Sequence, residues 1–134
     1  MHAIRLRGPW EYEPLEVIGG GPLPSAGKVK MPCDWAATLG SAFRGTVLFK
    51  RTFHTPTGLD LGEQVWLVFT AVDGHASVIL NDRPIGEFST SDCPARYNIT
   101  SLLADDANRL AVQVRRAGDE SNGLLGDVRL EIED

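Results

Sequence analysis

Histidine and cysteine are scarce in this chain of 134 residues, which holds three of the first and two of the second. A zinc site asks for three or four such ligands close together. His2, His54 and His75 are widely separated, with His2 in a terminal tail, His54 at a strand end and His75 at a turn. Cys33 and Cys93 lie far apart and form no CxxC pair. They fit either two buried thiols in a reducing compartment or one long-range disulfide in an oxidising one. A basic stripe is also missing. The net charge is −5 and the pI about 5.1, which excludes nucleic acid and anionic membrane as partners. The short pairs Lys50-Arg51 and Arg115-Arg116 sit inside apparent strands and read as solvated strand faces. No run approaches the roughly 20 apolar residues of a membrane span, and the start has no signal-peptide core. The chain as given reads as soluble and cytoplasmic, a single domain over residues 1–134. Met1 and the end just past the last strand fit a stand-alone domain.

Internal repeats and amphipathic helices of useful length are absent too, and what remains is period-2 patterning. Trp10 to Ile18 alternates aromatic or apolar residues with glutamates, and Pro14 confines this strand to an edge or a bulge. Gly27 to Met31 is a short strand, and Pro32 to Gly40 an irregular crossing loop. Thr46 to Thr55 places Val47, Phe49 and Phe53 on one face around Arg51. Val65 to Val72 is apolar on both faces, then Asp73-Gly74 gives a turn signal and Ala76 to Leu80 returns, the pattern of a central hairpin. Trp10 and Trp66, set in alternating strands, read as core. Asn81 to Gly86 is a second turn, Ile85 to Ser89 starts a short strand, and Thr100 can cap one helical turn. Leu110, Val112 and Val114 face inward, as do Val128, Leu130 and Ile132, with the glycine-rich loop Gly118 to Gly126 between those strands. Eight or nine strands without helical crossovers predict an all-β, two-sheet antiparallel sandwich.

The order of motifs carries a further reading. Trp10, Met31-Pro-Cys-Asp-Trp35, Phe49-Lys-Arg-Thr-Phe53, Val72-Asp-Gly-His-Ala-Ser-Val-Ile-Leu-Asn81, Gly86, Asn98-Ile-Thr100, Asn108-Arg-Leu-Ala-Val112 and Gly123-Leu-Leu-Gly-Asp-Val128 follow one another along the chain. This succession resembles the N-terminal sugar-binding domain of family 2 glycoside hydrolases, a group that includes β-galactosidases, β-glucuronidases and β-mannosidases. The resemblance covers about Leu6 to Ile132 and implies a galactose-binding-like jelly roll. In such hydrolases two glutamates on a separate barrel do the chemistry, about 5 Å apart in a retaining pair. A TIM barrel needs about 250 residues, and no Asn-Glu dipeptide occurs here: Asn81, Asn98, Asn108 and Asn122 precede Asp, Ile, Arg and Gly. The expectation is a non-catalytic module with no catalytic residues. Ser77, His75 and Asp73 make a triad only on paper, because neighbours on one strand point to opposite faces.

The resemblance also suggests a site. The family's loop before the last strand reaches the sugar through an acidic residue, which carries over to Asp119 and Glu120. The family's arginine two residues before the strand-opening valine is replaced by Gly126. A carbohydrate-binding module would use Asp34, Asp119, Glu120 and Asn122 for hydroxyl groups and stack a sugar on Trp35 or Tyr97. Trp35 reads equally as a lid over one end of the core. The alternative is a protein-interaction or self-associating sandwich with no sugar ligand. No cofactor is expected. A structural calcium would have Asp105-Asp106 and Asp119-Glu120 as its donors.

Overall fold

The computed structural model describes residues 2–19, 22–34, 44–116 and 123–133, with positions 33, 34, 123 and 124 described by backbone alone. The strands in chain order are β1 (His2–Arg5), β2 (Trp10–Val17), β3 (Gly27–Val29), β4 (Cys33–Asp34), β5 (Gly45–His54) and β6 (Gln64–Phe69). They continue with β7 (His75–Leu80), β8 (Arg83–Ser89), β9 (Ala95–Asn98), β10 (Ala107–Arg116), β11 (Gly123–Leu125) and β12 (Val128–Glu133). Four form one antiparallel sheet in the order β1-β12-β6-β9, and six form the other in the order β3-β2-β5-β10-β7-β8. β4 and β11 make a separate two-stranded ribbon. The sandwich expected from the patterning is therefore present, with ten strands in its two sheets. No helix among the described residues is long and apolar enough to cross a membrane.

Alternation explains where the core sits. Leu110, Val112 and Val114 on β10 turn inward with Val47 and Phe49 of β5 and Val78 and Leu80 of β7. Val65, Leu67 and Phe69 of β6 and Val128, Leu130 and Ile132 of β12 meet them from the smaller sheet. Each such side chain contributes about 1.5–3 kcal/mol by leaving water. Trp10 is fully buried and donates its indole N–H to the Leu6 carbonyl at 2.7 Å. In β2 the ladder to β5 shifts register between Pro14 and Glu16, and β3 stops pairing at Tyr12, so buried Pro14 sits at a bulge on the part of the strand that β3 does not flank.

The predicted central hairpin is not one. β6 belongs to the four-stranded sheet and β7 to the six-stranded sheet, so residues 70–74 carry the chain across the sandwich. The crossing is tight because Gly74 has φ +117° and a Cβ there would lie 2.1 Å from the Arg115 carbonyl oxygen. Thr90 holds the same turn, its hydroxyl accepting the Gly74 N–H at 3.1 Å and donating to the Val72 carbonyl at 3.0 Å. The tight hairpin lies one strand later. Asn81 and Asp82 both have positive φ, 51° and 67°, the signature of a type I′ turn joining β7 to β8.

Other expectations also shift. His2 opens β1, paired with Ile132 of β12. Trp66 faces outward on the small sheet, opposite Glu131 and Asn98, with the Arg96 guanidinium 4.4 Å above its ring. Both faces of β6 are apolar, so a core position for Trp66 does not follow from alternation. Arg51 does share the inward face with Phe49 and Phe53; it is half-buried, and burial lowers its pKa. Thr100 lies within a single 3₁₀ turn, Thr100–Leu102, and its hydroxyl accepts the Val65 N–H at 2.8 Å rather than capping a helix.

The end of the sandwich at the β7–β8 turn is closed by amides. Asn108 is fully buried; its Oδ1 accepts from Ala104 N at 2.7 Å and Asn81 Nδ2 at 3.0 Å, and its Nδ2 donates to Thr55 Oγ1 at 2.8 Å. Asn81 Oδ1 accepts the Arg109 N–H at 2.9 Å, and Asn81 Nδ2 also reaches the Leu102 carbonyl at 3.1 Å.

Two outcomes are expected in urea unfolding. Gly74→Ala should cost at least about 3 kcal/mol because its methyl group meets backbone, whereas Gly58→Ala, with φ +72° and open space around it, should cost about 1–2 kcal/mol from φ alone. Equal losses would refute the close-approach argument. Asn108→Ala should cost about 2–4 kcal/mol, since it strands several buried polar groups, and a loss below about 0.5 kcal/mol would show that the amide is dispensable.

Candidate functional site

The ribbon organises the end of the sandwich opposite the amide cluster. Asp34 of β4 pairs with Gly123 of β11, and Cys33 with Leu125 after an irregularity in register. Two stretches expected to be irregular, after Pro32 and before Gly126, thus contribute this short ladder. Leu125 is buried in the core and bridges to Val72 of the crossing segment. The Gly126 N–H donates to the Ala71 carbonyl at 2.9 Å. A Cβ on Gly126 would stand 2.8 Å from Thr70 Oγ1 and 3.1 Å from Ala71 Cβ. At the position where the resembling family often has arginine, the backbone is pressed against its neighbour.

Of the sequence-predicted site residues, Asp34 lies at the tip of the ribbon. Trp35, Asp119, Glu120 and Asn122 lie outside the described residues. Segment 35–43 departs beside Asp34 and ends before Arg44, whose carbonyl accepts the Ile18 N–H at 2.9 Å. Segment 117–122 starts after Arg116 and ends before Gly123. Asp34 pairs with Gly123, and Gly45 pairs with Arg116. The two segments therefore span the same two paired points in opposite directions, one beginning where the other ends.

Tyr97 stands elsewhere. It is half-buried between edge strands β8 and β9, where its ring covers Gly86: a Cβ on that glycine would fall 2.4 Å from the ring. The ring meets Phe69 edge-on at 6.3 Å and Phe88 at 6.3 Å. Burial pushes the phenol pKa up. Gly86 thus makes room for an aromatic ring from the other sheet. Among the described residues no hydrogen bond or ring contact joins Tyr97 to the ribbon.

Sequence reasoning missed the charged pair beneath this end. Asp73 Oδ2 lies 3.0 Å from Arg116 Nε, and the arginine side chain is only 5% exposed. The N–H does not point at that oxygen, so the contact is an ion pair rather than a hydrogen bond. Arg116 is therefore no solvated strand residue. Alternation carried the signal, since two steps beyond Val114 is an inward position. Nearby, Arg5 pairs with Asp127 at 2.8 Å.

His75, Ser77 and Glu87 form an exposed cluster on the outer face of the large sheet. Residues two apart share a face, so the argument that separated His75 from Ser77 fails. The catalytic relay fails on another ground: His75 Nε2 lies 2.8 Å from Glu87 Oε1, and Ser77 Oγ donates to that same oxygen at 3.4 Å. The serine points at the carboxylate, whereas a nucleophile needs the imidazole. Asp73 is engaged with Arg116 instead. The His75 hydrogen bond and charge hold the Glu87 carboxyl below its ordinary range, and the Ser89 backbone N–H and hydroxyl do the same for Asp92. Cys93 is a half-buried free thiol pushed up by burial; the Cys33 side chain lies outside the described residues. Among the described residues no three His, Cys, Asp or Glu side chains group to hold a metal. Asp106 approaches His54 Nδ1 at 3.4 Å, and Asp119-Glu120 fall outside the described residues.

The crossing segment and all of the ribbon but Cys33 lie within the stretch that comparison with known proteins picks out. A family described as glycosyl hydrolase 2 galactose-binding domain-like matches residues 34–125. A β-galactosidase from Aeromonas hydrophila subsp. hydrophila is 31% identical over 123 residues, covering 89% of this chain and 12% of that protein. A β-glucuronidase structure from Bacteroides uniformis superposes with a TM-score of 0.76 at 22% identity, covering 98% of this chain and 18% of that one. A rhamnosidase from Novosphingobium sp. PP1Y gives a TM-score of 0.77 at 18% identity, with 99% and 15% covered. These structures establish likeness of fold. The chain spans only about an eighth of the curated relative's length, and its described part is a sandwich rather than a barrel. Ladder, crossing segment and core order together agree with the motif succession, and the chain belongs to the glycosyl hydrolase 2 galactose-binding domain-like family.

Proposed function

We propose that this chain is a carbohydrate-binding-like module without catalytic machinery of its own, and that its ligand end is the one bearing the β4–β11 ribbon. The observation that supports this reading is the double pairing of Asp34 with Gly123 and of Gly45 with Arg116. It ties the starts and ends of the two segments that hold Trp35, Asp119, Glu120 and Asn122 to common points of the scaffold. Loops that end on rigid strands are where sandwich domains place binding groups. Carboxylates and amides exchange hydrogen bonds with sugar hydroxyls, and an indole offers a flat apolar face.

A second reading is a protein-interaction or self-assembly surface with no sugar ligand. It draws on the outer face of the small sheet, where Trp66 is half-buried and its indole nitrogen has no hydrogen-bond partner among the described residues. Against it, Arg96 covers the ring and is itself tied to Glu131 and Glu133, so the patch is already capped.

Titration of the ¹⁵N-labelled chain with galactose, glucuronic acid and rhamnose should give weak, saturable shifts at the Asp34 and Gly123 amides, lost in Asp34→Ala. Silence for all three sugars and across a broad glycan array would sink the carbohydrate reading. A mass in light scattering that rises with protein concentration and persists in excess sugar would favour the second.

A further inference from the structure

The outer face of the six-stranded sheet carries a feature separate from the ribbon end. The registers align Lys28 with Glu11, Glu11 with Lys50, Lys50 with Ala111, Ala111 with Ile79 and Ile79 with Pro84. One straight row thus crosses all six strands, about 24 Å at the usual strand spacing. It runs through two adjoining depressions of about 360 and 380 Å³ that share Glu11 and Lys50. Half-buried Ala111 and Ile79 floor one of them, with Thr52, Asp82 and Arg109 around it.

The charges along the row behave differently from those nearby. Arg109 and Asp82 close to 2.5 Å. Lys28, Glu11 and Lys50 stand directly opposite one another on paired strands, yet none forms an ion pair or side-chain hydrogen bond among the described residues. Exposed pairs of this kind gain only about 0–1 kcal/mol when they close, so little opposes their turning to a ligand. The charged residues lining the two depressions are three acids, Glu11, Glu13 and Asp82, and four bases, Lys28, Lys50, Arg109 and the half-buried Arg51, whose side chain lies on the inward face. Nearly balanced signs on the exposed rim give little advantage to a charged ligand. Interleaved donors and acceptors beside a small apolar floor match a molecule whose hydroxyls do both and whose C–H face is apolar.

We infer that this row is a groove for a neutral oligosaccharide lying across the strands, a site distinct from the ribbon end and sharing with it only the class of ligand. Its length and its two linked depressions favour a chain of several sugars over a single one. Lys50, which lines both depressions, is the central contact.

The test is a titration of the labelled chain with soluble neutral tetrasaccharides of galactan, glucan, mannan and xylan type, each beside its monosaccharide. The expected result is shifts at Glu11, Lys50, Ala111 and Ile79, with at least one tetrasaccharide bound tenfold or more tighter than its monosaccharide. Lys50→Ala should weaken that binding fivefold or more while leaving the melting temperature unchanged, because the side chain is exposed. Shifts confined to Asp34 and Gly123 would overturn this inference and leave the ribbon reading intact. Shifts along the row with none at the ribbon would do the reverse. No row shifts with any tetrasaccharide, equal affinity for monomer and tetramer, or an unaffected Lys50→Ala would each refute the groove.

Discussion

The close approach of Gly74 to the Arg115 carbonyl governs the ribbon end of the molecule. A strand leaving the small sheet must enter the large one directly beside β10, and only a residue without a Cβ can follow that path. The crossing then sets Asp73 against Arg116, the last residue of β10. It also lays Val72 along Leu125, which fixes where the ribbon emerges. The buried ion pair adds less net stability than its short distance suggests, because both groups give up hydration. Its main effect is positional, holding the end of β10 where segment 117–122 begins.

Period-2 alternation made most of the core legible. Leu110, Val112 and Val114, and likewise Val128, Leu130 and Ile132, are inward as their spacing indicates. What alternation cannot convey is which strand lies beside which. Asp73-Gly74 has the chemistry of a hairpin turn, but β6 is claimed by β12 and β9, both distant in sequence, while β7 is claimed by distant β10 and by β8, the strand that follows it. Trp66 was ambiguous for a related reason. On a strand apolar on both faces, only the register with Glu131 tells which face meets water. Arg116 was a different kind of miss, since its spacing was right and its charge argued against burial.

The candidate site was legible in part. The motif order pointed to the segments around Asp34 and Gly123, but not to their direct pairing, which depends on a ladder of very few residues. Tyr97 was one of two candidates for stacking on a sugar. The ring instead fills the space left by Gly86, a glycine eleven positions earlier on the other sheet. The row from Lys28 to Pro84 could not be seen from spacing at all, since its members come from six strands.

The saturated amide of Asn108 gives the sandwich a chemical polarity. With its carbonyl oxygen shared between Ala104 and Asn81 and its nitrogen turned to Thr55, that end presents the interior of a finished hydrogen-bond network. A visiting molecule would have to break existing bonds to form its own there. Along the outer sheet face Lys28, Glu11 and Lys50 make no such contacts among the described residues, so a ligand there would have fewer existing bonds to displace than at the amide end.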